Sequence, residues 1–132
     1  MILDSSNLFD LMRNDPAAFE KGVELVERGE VQWLPTPVVA EAYYGVFTSG
    51  SDRTEAELRN RLLGYPRVDV TEEIARTAGK LLVRAREENG AMEGSPGPND
   101  AYIGAMAETL DDAVLTENVD DFEKLGVAVE TY

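Results

Sequence analysis

The chain has 132 residues, 43% of them hydrophobic, which is enough to bury a core, and we expect a single domain over residues 1–132. It contains no cysteine and no histidine, which excludes disulfides, thiolate metal sites and thiol nucleophiles and removes the usual general base. No apolar run approaches the ~20 residues that cross a bilayer, and the start lacks the features of a signal peptide. We therefore expect a cytoplasmic protein without a membrane partner.

The charge is strongly acidic, with 26 acidic against 12 basic residues and a formal net charge of -14. Such a field argues against binding nucleic acid, because phosphate contacts rely on Lys and Arg. A second interpretation is a halophile-like acidic protein, in which surface carboxylates maintain hydration in a salt-rich cytoplasm. The scarcity of lysine, three of the twelve basic residues, favours this interpretation. Under it, the net charge says little about function.

In the first half of the chain, short apolar runs alternate with helical patterns. A run that stops at Asp4 predicts a buried strand, followed by a helix that Ser5 or Ser6 caps. The Thr36-Pro37 pair is typical of a helix start, with Thr36 as the N-cap and Pro37 at the first helical position. The predicted strands are residues 1–3 and 31–34, and the predicted helices are residues 16–30 (Phe19, Val23 and Val26 on one face, ended by Gly29), a helix from Thr36, and 51–64 (Leu58, Leu62 and Leu63 inward).

The second half contains the clearest helix, residues 71–89, with acids in its first turn and Gly90 as its left-handed cap. A Gly- and Pro-rich loop, residues 90–98, follows. The remaining predictions are a helix capped by Asn99 and running to residue 109, strands at 113–115 and 127–129, and a short helix at 119–125.

This alternation predicts an α/β domain with a mainly parallel sheet and helices on both faces. In such sheets, function lies outside the carboxyl ends of the strands. Asp4 follows the first strand, Glu41 lies within two turns of the second, and residues 116–121 follow the third. Asp100 begins the helix that leads into the third strand.

Each of these acids also has an ordinary structural explanation. Asp4 can be an N-cap, and Asp100 is favourable in a first helical turn for electrostatic reasons. Glu41 shares a face with Val38, although a rotated face would leave it solvated. Together, however, the acids converge on one sheet edge, where carboxylates repel unless a cation joins them. Carboxylate and amide oxygens suit Mg²⁺ or Mn²⁺, and a site open to water then indicates phosphoryl chemistry.

Four segments of the chain resemble the motifs of PIN-domain nucleases, and specifically of VapC-type toxins. Their order and separations agree across essentially the whole chain. The segments are MILDSSNLFDLM with Asp4, PTPVVAEAYYG with Glu41, PNDAYIGAMA with Asp100, and LTENVDDFEKL with Thr116, Asn118, Asp121 and Phe122.

The resemblance implies a three-layer α/β/α fold and endonucleolytic cleavage of RNA with Mg²⁺ or Mn²⁺. It also implies a homodimer and neutralisation by a small antitoxin protein. Carried over to this chain, Asp4 and Asp100 are direct metal ligands, and Glu41 ligates the metal or polarises the attacking water. Ser6 and Thr116 support these groups.

One departure concerns the fourth acidic position, since many relatives have aspartate where this chain has Asn118. Asp121 is the candidate to replace it, leaving Asn118 as a neutral ligand or a water-orienting group. Substrate must then be attracted locally, and the candidate contributors are Arg13, Arg53, Arg59 and Arg61.

Three other classes of protein share part of this pattern. A receiver domain needs adjacent acids after the first strand, a phosphoacceptor aspartate after a middle strand and a lysine directly after a late strand. Here Ser5 and Ser6 follow Asp4, and no lysine occupies such a place. A phosphatase with alternate aspartates fails because position 6 is serine. A non-catalytic PIN-like module that binds RNA or a protein is the more serious alternative, supported by the neutral residue Asn118.

Overall fold

The structure is a computed structural model that describes residues 1–49 and 52–132, with the side chains of Asp52 and Arg53 outside that description. Seven α-helices lie in these ranges, and the fifth continues into a π-helical turn at Arg84–Glu88. Their bounds are α1 Ser5–Met12, α2 Pro16–Glu27, α3 Thr36–Ser49, α4 Asp52–Leu62, α5 Glu72–Val83, α6 Pro98–Thr109 and α7 Val119–Leu125. None of the helices in these ranges is long and apolar enough to cross a membrane.

Five short strands form the centre, and every pair among them is parallel. A bridge between Ile2 and Trp33 joins the two sheets into the order β3-β2-β1-β4-β5. This confirms the predicted three-layer α/β/α fold with its parallel sheet. The strands are β1 Ile2–Leu3, β2 Leu34–Pro35, β3 Arg67–Val68, β4 Val114–Leu115 and β5 Val129–Glu130.

The central strands are inaccessible to solvent on both faces, as parallel sheets require. Ile2 and Leu3 of β1 and Val114 and Leu115 of β4 are fully buried. Helix α6 is the most buried helix, with six consecutive or near-consecutive core residues between Ala101 and Ala107. The short apolar runs that predicted strands therefore mark the interior correctly.

The apolar face of α2 forms as predicted and faces solvent. Phe19, Val23 and Val26 share a face as predicted, but all three are exposed, and the helix is anchored instead by Ala18 and Leu25. Periodicity identifies residues on one face, and it does not identify the face that is covered. Leu63 was also expected inside and is 73% exposed, because α4 ends at Leu62.

Several element ends differ from the predictions by a few residues. The residue at the N-cap of α1 is Asp4 and that of α6 is Gly97, so neither Ser5, Ser6 nor Asn99 caps a helix. Strand β3 was not predicted, since two residues of which one is exposed leave no pattern. Helix α2 ends at Glu27, and α3 begins at Thr36 itself. The second strand is reduced to Leu34–Pro35, and the last strand is shifted to Val129–Glu130. Ser51, the predicted start of the fourth helix, lies outside the described residues.

Candidate functional site

Strands β1 and β4 are neighbours at the point where the strand order changes direction. The chain moves from β1 outward to β2 and β3, then returns to the other side of β1 with β4. At such a point the connections diverge and leave a crevice at the carboxyl ends of the strands. Asp4 and Thr116 directly follow β1 and β4, so both lie in this crevice.

Asp4 is 4% exposed and is held by hydroxyl groups. The Thr116 hydroxyl donates to Asp4 Oδ2 at 2.7 Å, and the Ser6 hydroxyl donates to the same oxygen at 3.2 Å. Although Asp4 occupies the N-cap position of α1, its side chain makes no capping hydrogen bond. Capping therefore does not explain why a carboxylate is buried here.

The Ser6 and Thr116 hydroxyls also tie the two strand ends together. Their oxygens are 3.3 Å apart, and each accepts a backbone N–H, from Glu117 at 3.2 Å and from Asn118 at 2.9 Å respectively. Each hydroxyl thus connects the backbone that follows β4 to the carboxylate that follows β1. Ser6 and Thr116 thus both contact Asp4, and their supporting role in a metal site stays a prediction.

Asp100 lies at the start of α6, where its Oδ2 accepts the Gly97 N–H at 2.9 Å. Burial raises the pKa of this carboxyl, and the negative charges of Asp4, Asp121 and Glu41 raise it further, against the lowering effect of the Gly97 hydrogen bond. Three of the acids singled out in the sequence thus act electrostatically on the fourth, Asp100. The position of Asp100 in the first turn of α6 explains its hydrogen bond with Gly97. It does not explain why three other acids lie close enough to raise its pKa.

Glu41 approaches the cluster from α3 and is half-buried. Its Oε1 accepts a hydrogen bond from the Asn99 amide at 3.5 Å, which links α3 to the first turn of α6. Glu41 is therefore not the freely solvated acid that a rotated helix face would give.

Asp121 is bound through both oxygens. The Ser95 hydroxyl donates to Oδ1 at 2.9 Å, and the Asn118 amide donates to Oδ2 at 2.7 Å. The neighbouring Phe122 is fully buried, which fixes the position of this turn of α7. Asp121, the candidate for the fourth acidic position, is thus hydrogen-bonded to Asn118, the residue that occupies that position in the sequence.

Carboxylate, hydroxyl and amide oxygens are the donors that Mg²⁺ and Mn²⁺ prefer, and the crowded charge around Asp100 suits a divalent cation. Within residues 1–49 and 52–132, however, no three acidic side chains stand in an arrangement that could already hold a metal ion. The donor set fits the metal chemically, and its acids are each engaged by a neighbouring donor. Binding would require these side chains to turn toward a shared cation.

Two contacts at the site were missed by the sequence analysis, those of Ser95 and Asn99. Both residues lie in or next to the Gly- and Pro-rich stretch before Asp100, and their polar side chains so close to a candidate ligand were the available signal. The arginines expected to attract substrate have no contact with the acidic cluster among those that the structure describes. Arg13 pairs with Asp10, Arg61 donates to the Met12 carbonyl, Arg59 is exposed, and the side chain of Arg53 lies outside the description.

Asp100→Asn is expected to raise the melting temperature of the protein in EDTA at pH 7. The folded-state pKa of Asp100 lies above its ordinary value of 3.8, so folding disfavours the ionised form. That cost is fully present above the folded-state pKa and disappears below about 3.8, while asparagine keeps an acceptor for Gly97. Melting curves from pH 7 to pH 4 should show the gain shrinking as the pH falls.

The matched control is Asp120→Asn, because Asp120 is 76% exposed and outside the cluster. A destabilised Asp100→Asn variant at pH 7 would show that Asp100 is an ordinary stabilising residue of the first helical turn.

Comparison with known proteins identifies the family to which this fold belongs. The model of the PIN domain family matches residues 1–128, and the chain belongs to this family. This confirms the resemblance that the four motifs carried. A search of curated proteins by sequence gave no significant match.

Solved structures share the fold at low sequence identity. VapBC2 from Rickettsia felis, bound to a DNA fragment from its promoter, is 18% identical with a TM-score of 0.79, covering 99% of this chain and 97% of the other. FitAcB from Neisseria gonorrhoeae is 20% identical with a TM-score of 0.80, covering 97% and 94%. A toxin–antitoxin complex from Klebsiella pneumoniae is 20% identical with a TM-score of 0.69, covering 92% and 88%.

Proposed function

We propose that this protein is a Mg²⁺- or Mn²⁺-dependent endoribonuclease and the toxin of a type II toxin–antitoxin pair. The observation that carries the proposal is the convergence of Asp4, Glu41 and Asp121 on Asp100 at the carboxyl edge of the sheet, where their charges raise the pKa of Asp100. Membership of the PIN family and the fold shared with a toxin–antitoxin complex support it.

Asp4 and Asp100 would hold the metal, with Glu41 as a third ligand or as the group that polarises water. When bound, the metal supplies an activated water and neutralises charge that develops on the phosphate. This chemistry needs no histidine, which the chain lacks.

The chain's own residues orient these groups. Thr116 and Ser6 direct one oxygen of Asp4, and the backbone N–H of Gly97 directs one oxygen of Asp100. The other Asp4 oxygen, Oδ1, accepts only a long hydrogen bond of 3.5 Å from the Ser5 hydroxyl, which a ligand could displace. Asn118 and Ser95 hold Asp121 at the edge of the cluster, where it can orient water or substrate.

The partners follow from the same proposal. We infer a small antitoxin, an RNA substrate and a homodimer. An antitoxin arginine would suit the site, because a guanidinium pairs with carboxylates in a bidentate manner and would neutralise the crowded acids.

A non-catalytic PIN-like module is the second candidate. It is favoured by the engagement of both Asp121 oxygens and by the lack of a preformed metal arrangement within the described residues. Such a module would bind RNA or a protein through the same face without hydrolysing it.

Incubation of the purified protein with single-stranded RNA separates the two candidates. We expect the RNA to be cleaved internally in Mn²⁺ or Mg²⁺ and to stay intact in EDTA. Gel electrophoresis of end-labelled RNA measures the fragments. RNA that is bound and recovered intact in both metals would favour the non-catalytic module.

A further inference from the structure

An open cleft lies directly beside the carboxylate cluster. It has a volume of about 600 Å³, within the ~300–1,000 Å³ typical of small-molecule sites. Glu41 belongs to both the cleft and the cluster, so a molecule in the cleft would be next to the candidate site of hydrolysis. The lining residues are Phe9 of α1, Pro37, Ala40, Glu41, Tyr44 and Gly45 of α3, and Asn99 of α6.

The surface of the cleft is mainly apolar and aromatic. Among the lining residues that the structure describes, Glu41 is the one that carries a charge, and Asn99 adds an amide. Tyr44 is 73% exposed and lies one helical turn after Glu41, so both side chains lie on the same side of α3. The cleft therefore offers an exposed ring close to a carboxylate and an amide.

Gly45 leaves part of this cleft open. A Cβ atom built on Gly45 would have no heavy atom within 4 Å, although glycine is unfavourable inside a helix. Because Gly45 lines the cleft, a larger side chain at this position would occupy part of the open space.

These features match a nucleobase better than a phosphate. A chain with a net charge of -14 gains little from long-range attraction of a polyanion, and the described residues that line this cleft include no lysine or arginine. Stacking of a base on an aromatic ring does not depend on the sign of the protein's field. An amide such as Asn99 can hydrogen-bond to the edge of a stacked base.

We propose that the cleft is a nucleobase subsite, in which Tyr44 stacks on a base adjacent to the scissile phosphate and Asn99 hydrogen-bonds to its edge. The inference rests on the proposed nuclease function, because a base bound beside Glu41 would be next to the phosphate that is cleaved. RNA and DNA share this chemistry, and the experiment includes both.

The test measures binding in EDTA, so that cleavage is not needed. Fluorescence anisotropy is recorded for a short single-stranded RNA, the matching DNA, and oligonucleotides with an abasic site at each position in turn. The wild type should bind one abasic oligonucleotide roughly 5- to 100-fold more weakly than the intact strand, the range expected for loss of one base–aromatic stack.

Two variants that should fold remove the subsite in different ways. Tyr44→Ala removes the ring, and Gly45→Leu fills the open space. Both should bind intact and abasic strands equally, whereas Tyr44→Phe should retain the wild-type preference because it keeps the ring. Gly79→Leu is the matched control, since Gly79 is also an exposed helical glycine with open space around it.

A wild-type preference for the intact strand that persists in Tyr44→Ala and Gly45→Leu would overturn the subsite. So would the absence of any abasic effect in the wild type. A change from dimer to monomer in Tyr44→Ala with an unchanged abasic effect would assign the cleft to contact between two copies of the chain. Cleavage assays in Mn²⁺ run in parallel, and failure of the wild type to cleave RNA contradicts the nuclease proposal separately.

Discussion

Asp4→Asn is expected to reduce RNA cleavage by at least about 100-fold. Groups that merely support a metal ligand contribute ~10–100-fold to affinity or activity, and a direct ligand should contribute more. Asparagine preserves the size of the side chain and an oxygen that accepts from Thr116. The loss would therefore report the missing charge. Initial rates on an end-labelled RNA in Mn²⁺ measure it.

Asp100→Asn should show a comparable loss of RNA cleavage. Asp121→Asn tests whether Asp121 fills the fourth acidic position, at which the sequence has Asn118. If Asp121 takes the role of the missing aspartate, its loss should lower the rate while Asn118→Ala, which removes one donor to it, has the smaller effect. The control is again Asp120→Asn, with a side chain paired to Lys124 at the surface. Full activity of Asp4→Asn or Asp100→Asn would refute the proposed metal-ligand roles.

Excess Mn²⁺ is expected to stabilise the wild-type protein by about 2.7 kcal/mol at a free concentration 100 times the dissociation constant. For a chain of this size, that free energy corresponds to a rise in melting temperature of roughly 5–10 °C. The physical reason is that the cation relieves the repulsion around Asp100 and binds the folded state only. Differential scanning fluorimetry at constant ionic strength, in EDTA and in Mn²⁺, measures the shift.

The same titration on Asp100→Asn provides an internal check. This variant should be more stable than the wild type in EDTA, yet should gain little from Mn²⁺. A residue important only for folding would not produce this combination. Equal Mn²⁺ shifts in the wild type and in Asp100→Asn, or no shift in the wild type, would argue against a metal site at this edge.

The position of the site could be predicted because it depends on the simplest pattern in the chain. Short apolar runs that end in polar residues mark buried parallel strands, and the carboxyl ends of such strands meet at one edge. Asp4 and Thr116 follow directly from this rule. The PIN motifs added the order of the acids. The family match over residues 1–128 confirms the resemblance, and the roles of the individual acids stay predictions.

Other features depend on contacts that local sequence patterns do not encode. The hydrogen bond from Ser95 to Asp121 joins a loop to a helix 26 residues later, and its geometry depends on how both are packed. The apolar face of α2 was recognisable at Phe19 and Val26, but its exposure depends on what the rest of the fold places against the helix. Strand β3 exists through its pairing with β2 and has no pattern of its own.

The hydrogen bond between Thr116 and Asp4 spans 112 residues of the chain. Closing so long a loop is entropically costly, and contacts of this separation slow folding. During synthesis, β1 leaves the ribosome well before β4 and cannot pair with it until the residues between them have been added. The two sides of the proposed catalytic centre can therefore meet only after Thr116 has emerged, and nascent fragments that end before this residue would lack the proposed activity.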